Sequence, residues 1–218
     1  TVCRQLVLQD DLMYLHDVGV KCPDCAIKFT TRQVPVYIDT GYRNSELRQH
    51  VGEIAPCYEH YSVCTCPSCG RADWAMSFEP TEEECVLSQA KTPPHLQYRN
   101  AAIRSEKNGA SFYDAGMFYL YAAWCADDNG AFPQAKEYRR LAIDSFRRSL
   151  TDVSCPLENR GDIEYLIGEL MRRIGLFDQC RAYFTQVIGH LPGNYATMAR
   201  KLMRLAELQN AELIPFEV

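Results

Sequence analysis

The sequence has no long apolar run. Its apolar stretch at residues 115–126 (AGMFYLYAAWCA) is twelve residues long, whereas a helix needs about 20 apolar residues to cross a bilayer. We therefore predict a buried helix there and no membrane span. The sequence also lacks a basic stretch followed by an apolar run, which would indicate a secretory signal. We expect the protein to be cytoplasmic.

The sequence has no excess of positive charge. It contains 23 Lys and Arg against 28 Asp and Glu, a net charge of −5 at pH 7. Residues 21–80 carry six basic and seven acidic residues, and residues 81–218 carry sixteen and eighteen. Because nucleic-acid binding needs cations that neutralise phosphates, this balance argues against a nucleic-acid partner. We interpret the arginine pairs as solvated helix faces; they lie at residues 139–140, 147–148 and 172–173.

Sequence motifs of common active sites are absent. We find no HExxH, no GxSxG, no phosphate loop ending in GK and Ser or Thr, and no GxGxxG after a strand. Cys57 and His60 are the one close thiol and imidazole pair, but sequence proximity is a poor guide to a catalytic pair. We predict that the protein is not an enzyme, with a cysteine hydrolase as a remote alternative.

Cysteine, in contrast, is abundant, with eleven residues in the chain. Four of them form two knuckles separated by forty residues, Cys22-Pro-Asp-Cys25 and Cys66-Pro-Ser-Cys69. This spacing lets each turn aim two thiolates at one point, which predicts one structural zinc ion with no open position for water or substrate. Disulfides are the alternative in a secreted chain. Three further residues remain open as additional or substitute ligands: Cys57, Cys64 and His60.

Three cations flank the knuckles: Lys21, Lys28 and Arg71. A zinc ion with four thiolates carries a formal charge of minus two, which nearby cations can neutralise. Solvated surface is the equally simple interpretation of the same residues.

The chain changes character near residue 80. Before it, β-branched and aromatic segments predict short strands, at residues 29–31, 34–38 and 58–65. After it, Thr81 and Glu84 have the spacing of a capping box, which predicts the start of the first helix. We therefore divide the chain into a zinc-ribbon-like segment, residues 1–80, and a helical domain, residues 81–218.

A short segment joins these two parts. In it, Trp74, Met76 and Phe78 alternate with Ala75, Ser77 and Glu79. Alternation places the three large apolar side chains on one face of an extended segment. We predict that all three dock on the helices.

The helical domain contains an internal repeat. Residues 161–194 follow the tetratricopeptide pattern, in which small and large residues alternate where two antiparallel helices touch. An earlier segment runs in the same order, although Arg139 occupies the position of a packing aromatic. Gly130 and Gly175 are forty-five residues apart, which predicts an inserted linker at residues 151–160. Generic helical hairpins without a common repeat are the alternative.

These features together resemble a known family. The chain contains, in order, CPxC, CPxCG, YLYAAW at residues 119–124 and YLIGELMRRIG at residues 165–175. This order of motifs resembles that of the bacterial family called domain of unknown function 2225. The resemblance covers most of the chain and implies an architecture, since the family has no activity to carry over. One position departs from the expected pattern, because Ala26 follows the first knuckle where glycine is expected.

The repeat predicts a peptide-binding groove, because stacked helix pairs expose a concave face built from the first helix of each pair. Its predicted lining is Met117, Leu120, Trp124, Asp127 and Asp128 from one pair and Tyr165, Glu169, Arg172 and Arg173 from the next. For the apolar members, core packing is the competing interpretation.

We therefore predict a mainly α protein in which tetratricopeptide-like hairpins follow a small zinc-ribbon-like β subdomain. Its predicted role is a non-enzymatic interaction or scaffold module that binds a protein or peptide. Arg172 and Arg173 would contact carboxylates of the partner, while Trp124 or Tyr165 would supply an aromatic anchor. The alternative is a nucleic-acid-associated zinc-ribbon regulator. The oligomeric state is left open.

Overall fold

The computed structural model describes residues 15–34, 42–49, 57–109 and 111–216. Within them the chain forms a small β subdomain followed by helices, which confirms the predicted mainly α fold. The helices are α1 (Pro94–Lys107), α2 (Phe112–Asp128), α3 (Phe132–Thr151), α4 (Arg160–Arg173), α5 (Phe177–Val187) and α6 (Gly193–Glu207). None of these described helices combines the length and apolar character that a bilayer crossing requires.

The β subdomain contains two antiparallel hairpins. The first joins β1 (His16–Lys21) to β2 (Lys28–Gln33), and the second joins β3 (Val63–Thr65) to β4 (Ala72–Trp74). Two short strands, β5 (Glu79–Pro80) and β6 (Leu87–Ser88), complete a sheet of order β5-β1-β2-β6. Since β6 pairs with β2, this sheet extends past residue 80.

The predicted strands are found in part. The segment at residues 29–31 lies in β2, and the segment at residues 58–65 divides into a 3-10 helix (Tyr58–Tyr61) and β3. The predicted strand at residues 34–38 lies, apart from Val34, outside the described residues.

The predicted helix start at Thr81 is wrong. The Thr81 hydroxyl does accept the backbone N–H of Glu83, at 3.2 Å, but no helix follows it. Pairing of β5 with β1 and of β6 with β2 holds this region in the sheet. The first helix begins at Pro94, where the fixed φ of proline suits the first helical position and its missing N–H is not needed.

Two helical hairpins share the same turn. Gly130 follows α2 and Gly175 follows α4, both in the left-handed region with φ of 71° and 89°. The next backbone N–H, of Ala131 or Leu176, donates to a carbonyl five residues earlier, at 2.8 Å in both turns. The inserted linker also lies where the sequence predicts it, because α3 ends at Thr151 and α4 begins at Arg160.

Glycines let the helices of each hairpin approach closely. A Cβ added at Gly116 would lie 2.4 Å from the ring of Phe146, and one at Gly168 would lie 2.4 Å from the ring of Phe184. Both rings are fully buried. Each pair therefore fixes the distance between two packed helices.

The junction between β subdomain and helices depends on one of the three predicted side chains. Trp74 stacks on Phe118 with ring centroids 4.8 Å apart. Met76, however, is 88% exposed, and Phe78 packs within the β subdomain, 5.6 Å from the ring of Phe29. The alternation fails because Ala75–Ser77 is a 3-10 helix rather than an extended segment.

Candidate metal centre

The two cysteine knuckles are the turns of the two β hairpins. In the first, the Cys22 N–H donates to the Ile27 carbonyl at 2.9 Å and the Ala26 N–H donates to the Cys22 carbonyl at 2.8 Å. In the second, Cys66 donates to Arg71 at 2.8 Å and Gly70 donates to Cys66 at 3.1 Å. The same hydrogen-bond pattern therefore positions both pairs of cysteines.

The residue after each knuckle has a left-handed backbone. Gly70 has φ of 74°, a conformation that glycine adopts without a steric penalty. Ala26 has φ of 59°, which is uncommon for a residue with a Cβ. Ala26 therefore adopts the same left-handed conformation as the glycine expected at this position.

The four knuckle sulfurs converge. They lie within 4.8 Å of one another, with Cys22 Sγ 3.7 Å from Cys69 Sγ and Cys25 Sγ 3.6 Å from Cys66 Sγ. A tetrahedral ion with metal–sulfur bonds of about 2.3 Å places its sulfurs about 3.8 Å apart, whereas a disulfide bond is about 2.05 Å long. The four cysteines, all free thiols, can therefore hold one metal ion with soft, tetrahedral coordination.

The thiol of Cys25 is biased toward the thiolate form. A hydrogen bond from the backbone at Ile27 lowers the pKa of Cys25 to about 7. A thiolate, not a thiol, is the metal ligand. Burial instead raises the pKa of the Cys22 thiol and raises that of Cys69 to about 12, so the bias toward the thiolate belongs to Cys25 and not to these two neighbours.

The substitute ligands considered from the sequence are Cys57, Cys64 and His60, and none is part of this cluster. Cys57 is disulfide-bonded. Cys64 is fully buried, and burial raises the pKa of its thiol to about 12. His60 instead contacts Asp128, with Nε2 3.0 Å from the carboxylate. No second group of potential metal ligands occurs in the part of the chain that the structure describes.

The cations beside the knuckles pair with carboxylates. Lys21 contacts Glu79 at 3.0 Å, and Lys28 contacts Glu83. Arg71 binds two carboxylates, those of Asp24 and Asp73. The surroundings of the metal site are therefore not a continuous basic surface.

The predicted groove is filled by two segments of the same chain. We call residues 44–48 the strap and residues 210–216 the tail. They contact each other, because the Ser45 N–H donates to the Ile214 carbonyl at 2.7 Å and the Ile214 N–H donates to the Ser45 hydroxyl at 3.4 Å. The strap lies against side chains of α2, α3 and α4, and the tail lies against side chains of α4 and α6.

Glu46 of the strap occupies a carboxylate site built by helices. Arg139 donates to it from Nε at 2.6 Å and from Nη2 at 2.9 Å. Arg173 Nε adds a contact at 3.0 Å and Trp124 Nε1 one at 2.8 Å. Burial alone would raise the pKa of Glu46, but the two guanidinium groups outweigh it and lower the pKa to about 2. Asp127 also contacts Arg139, at 2.6 Å.

Arg48 of the strap occupies the opposite kind of site. It donates to both oxygens of Asp128, at 3.0 and 2.7 Å, and to Glu59 at 3.0 Å. Burial would raise the pKa of Asp128, but hydrogen bonds from His60 and Arg48 lower it to about 2. The second carboxylate oxygen of Glu59 is buried without a hydrogen-bond partner.

A third set of contacts holds Ser45 and the tail. The Ser45 hydroxyl donates to Glu169 at 2.6 Å, and the Tyr165 hydroxyl donates to the Ser45 carbonyl at 3.0 Å. Arg172 binds Glu169 at 2.6 and 2.7 Å and donates to the tail carbonyls of Asn210 and Glu212, at 2.6 and 2.8 Å.

The prediction of an open groove is therefore corrected. Tyr165, Glu169 and Arg172 are fully buried, and Trp124 is 5% exposed. Arg173 is also largely covered, since it contacts Glu46 and the Ala211 carbonyl. The competing interpretation, core packing, describes Leu120, which is buried in the helical core.

Sequence reasoning missed the residues that fill the groove. Ser45, Glu46 and Arg48 lie in a polar segment with no motif, and their partners on α2 to α4 are 78 or more residues away, as in the contact of Glu46 with Trp124. Arg139 was the one usable signal. Its guanidinium, at a position predicted for a packing aromatic, is buried and needs an anion.

One comparison with known proteins gives a match. A bacterial protein family described as "Uncharacterized protein conserved in bacteria (DUF2225)" matches residues 15–211, which include all four knuckle cysteines. Neither a curated protein nor a solved structure matches the chain.

Proposed function

The chain belongs to this bacterial family, and on that premise we propose that it is a non-enzymatic module that holds one structural zinc ion and binds a protein or peptide. The tetratricopeptide-like character of its hairpins and a reducing, cytoplasmic setting are parts of this proposal. A reducing compartment keeps the knuckle thiols available for the metal, whereas the disulfide at Cys57 is a bond that such a compartment disfavours.

Zinc is the metal that the donor set favours. Four thiolates in tetrahedral geometry are typical of structural zinc and of iron in sulfur sites. Two hairpin turns with the same hydrogen-bond pattern, each supplying two cysteines, are typical of zinc ribbons. Because four protein ligands complete the coordination sphere, the ion would stabilise the β subdomain and would leave no position for a substrate.

Two clefts near the metal centre are relevant to the alternative of a cysteine hydrolase. Two clefts of about 330 and 300 Å³ lie on either side of Arg71. The first includes Cys69, but neither brings a histidine next to a thiol. This supports a binding role over a cysteine hydrolase.

The observation that carries the interaction role is the groove itself. Six of the seven side chains predicted to bind a partner contact the strap or the tail directly: Trp124, Asp128, Tyr165, Glu169, Arg172 and Arg173. The seventh, Asp127, contacts Arg139, which in turn binds Glu46 of the strap. The helical face thus holds two segments of its own chain by side-chain hydrogen bonds and buried ion pairs, and the same contacts would suit a peptide partner. Nucleic acid is disfavoured, because Arg139 and Arg172 are buried in such pairs and Arg140 binds Glu137 and Asp144.

Two measurements test this function with the intact chain. Elemental analysis of protein purified without chelator should give one zinc per chain. Affinity purification from the bacterium, with an unrelated helical protein as the control bait, should capture a protein that then binds the purified chain in calorimetry. Retention of nucleic acid that nuclease treatment removes, with no protein partner, would instead support the regulator alternative. Replacing Arg172 and Arg173 by glutamate is unsuitable here, since a buried charge reversal would unfold the helices.

A further inference from the structure

The strap is attached by specific polar contacts rather than by apolar burial. Ser45, Glu46 and Arg48 each meet a charged side chain of the surrounding structure, Glu169, Arg139 or Asp128. Leu47 is the single large apolar residue of the strap and is only partly buried. These contacts have the chemistry of ligand recognition, with bidentate arginine pairs at both charged positions.

The strap also has a conformation of its own. The Asn44 side chain accepts the backbone N–H groups of Glu46 and Arg48, at 2.9 and 3.1 Å. The Asn44 N–H donates to the Arg48 carbonyl at 3.0 Å, and Leu47 has a left-handed φ of 60°. Five consecutive residues therefore form a closed turn through contacts among themselves. A short peptide of the same sequence can form the same turn.

Removal of the strap would leave two sites of opposite charge. The Glu46 site would retain Arg139 and Arg173 against Asp127, a net charge of plus one. The Arg48 site would retain the two carboxylates of Glu59 and Asp128, which together carry a charge of minus two. The helical face therefore requires an acidic residue and, two positions later, a basic residue.

Resting on the proposed function, we propose that the strap is an internal ligand that occupies the recognition site of the partner. The partner presents a turn of the same chemistry, a glutamate followed two residues later by an arginine, with serine before the glutamate. It replaces the strap contact for contact, so each buried charge has a counter-charge both before and after the exchange. Buried ion pairs favour such an exchange, because they specify one ligand and contribute less net stability than apolar packing of the same volume.

The strap is covalently linked to its own site, so it competes with any added peptide, and the test must weaken the strap first. A segment linked to its own site acts at an effective concentration in the millimolar range, so a free peptide competes poorly with it. Glu46→Gln weakens the strap and leaves the helical side of the site unchanged. The probe is a fluorescent, end-capped peptide with the sequence of residues 43–49, Arg-Asn-Ser-Glu-Leu-Arg-Gln, measured by fluorescence anisotropy.

We expect this peptide to bind the Glu46→Gln chain of residues 1–218 at least tenfold more tightly than the wild-type chain. Peptides with glutamine in place of glutamate, or with glutamate in place of arginine, should lose at least tenfold in affinity for the variant. Arg48→Gln serves as a second variant that weakens the other end of the strap.

Three results would overturn the proposal. One is a folded, zinc-loaded Glu46→Gln or Arg48→Gln chain that does not bind the peptide. Another is unfolding of both variants, which would make the strap an indispensable part of the fold. The third is concentration-dependent dimerisation of the variants, which would identify a second copy as the occupant. If the wild-type chain still captures a protein partner in any of these cases, this inference fails and the proposed function does not.

Discussion

Two neighbouring cysteines allow the metal centre to be tested with a matched pair of substitutions. Cys64 and Cys66 are two residues apart at the end of β3, and both are buried, at 0% and 1% exposure. Only Cys66 belongs to the sulfur cluster. Replacing either residue by alanine removes the same buried atom, at a cost of about 1 to 2 kcal/mol in lost burial and cavity formation.

Cys66→Ala should cost more because it also removes one of four ligands. Structural zinc sites bind with about 10–16 kcal/mol, so one ligand of four corresponds to roughly 3 kcal/mol and a zinc affinity about 100-fold weaker. The β subdomain has little else to hold it, since its own buried cluster contains two phenylalanines, one valine, one alanine and three cysteines. It should therefore lose its structure while α2–α6, whose larger buried cluster takes, among the described residues, only Val63 and Ala72 from the β subdomain, keep theirs.

The assay is zinc competition against a chromophoric chelator, combined with elemental analysis and circular dichroism. Wild-type protein and Cys64→Ala should each retain one zinc, and Cys66→Ala should release it. Equal zinc affinity in all three proteins would refute the assignment of Cys66 as a ligand. Loss of zinc from Cys64→Ala with retention by Cys66→Ala would show that Cys64, and not Cys66, is the ligand.

Three more changes have defined outcomes. The pKa values of Glu46 and Asp128 lie at about 2 in the folded protein, below their unfolded values of about 4. The stability that these two carboxylates contribute is therefore complete above about pH 5 and is lost as the pH falls to about 2. Urea unfolding at several pH values checks this, and a free energy of unfolding that does not change with pH would contradict it. Trp74→Ala should cost about 3–5 kcal/mol, whereas Met76→Ala, at an exposed position, should stay within about 0.5 kcal/mol; equal losses would show that the junction does not depend on Trp74. Gly168→Ala should destabilise despite a helix-propensity gain of about 1 kcal/mol, because the new methyl overlaps a buried ring; a higher melting temperature would contradict the close helix contact.

The metal site could be predicted because its information is local. Two residues separate the cysteines of each knuckle, and the turns that aim them are closed by hydrogen bonds within six residues, such as Cys22 to Ile27. The helical turns at Gly130 and Gly175 are local in the same sense. Capping chemistry was less reliable at Thr81, where strand pairing with distant residues decided the conformation.

The filling of the groove could not be predicted, because no local pattern relates the strap to its partners. The sequence did indicate that Arg173 would bind a carboxylate. It did not indicate that this carboxylate would be Glu46, 127 residues earlier in the same chain. A repeat pattern describes which faces of helices are available, but it does not describe what else in the chain has the chemistry to cover them.

The long separation of these contacts has a consequence for the order of folding. Ser45 meets Glu169 across 124 residues, and closing a loop of that length costs about 2 kcal/mol more in chain entropy than closing one of twelve residues. Helix hairpins form early because their contacts are local, whereas the counter-charges of the strap become available in stages: Glu59 and Asp128 for Arg48, then Arg139 for Glu46, and last Arg173 of α4. On the ribosome, the site of Arg48 is therefore complete once α2 has been made, whereas the site of Glu46 is complete only with α4, so full docking of the strap waits for the helical half.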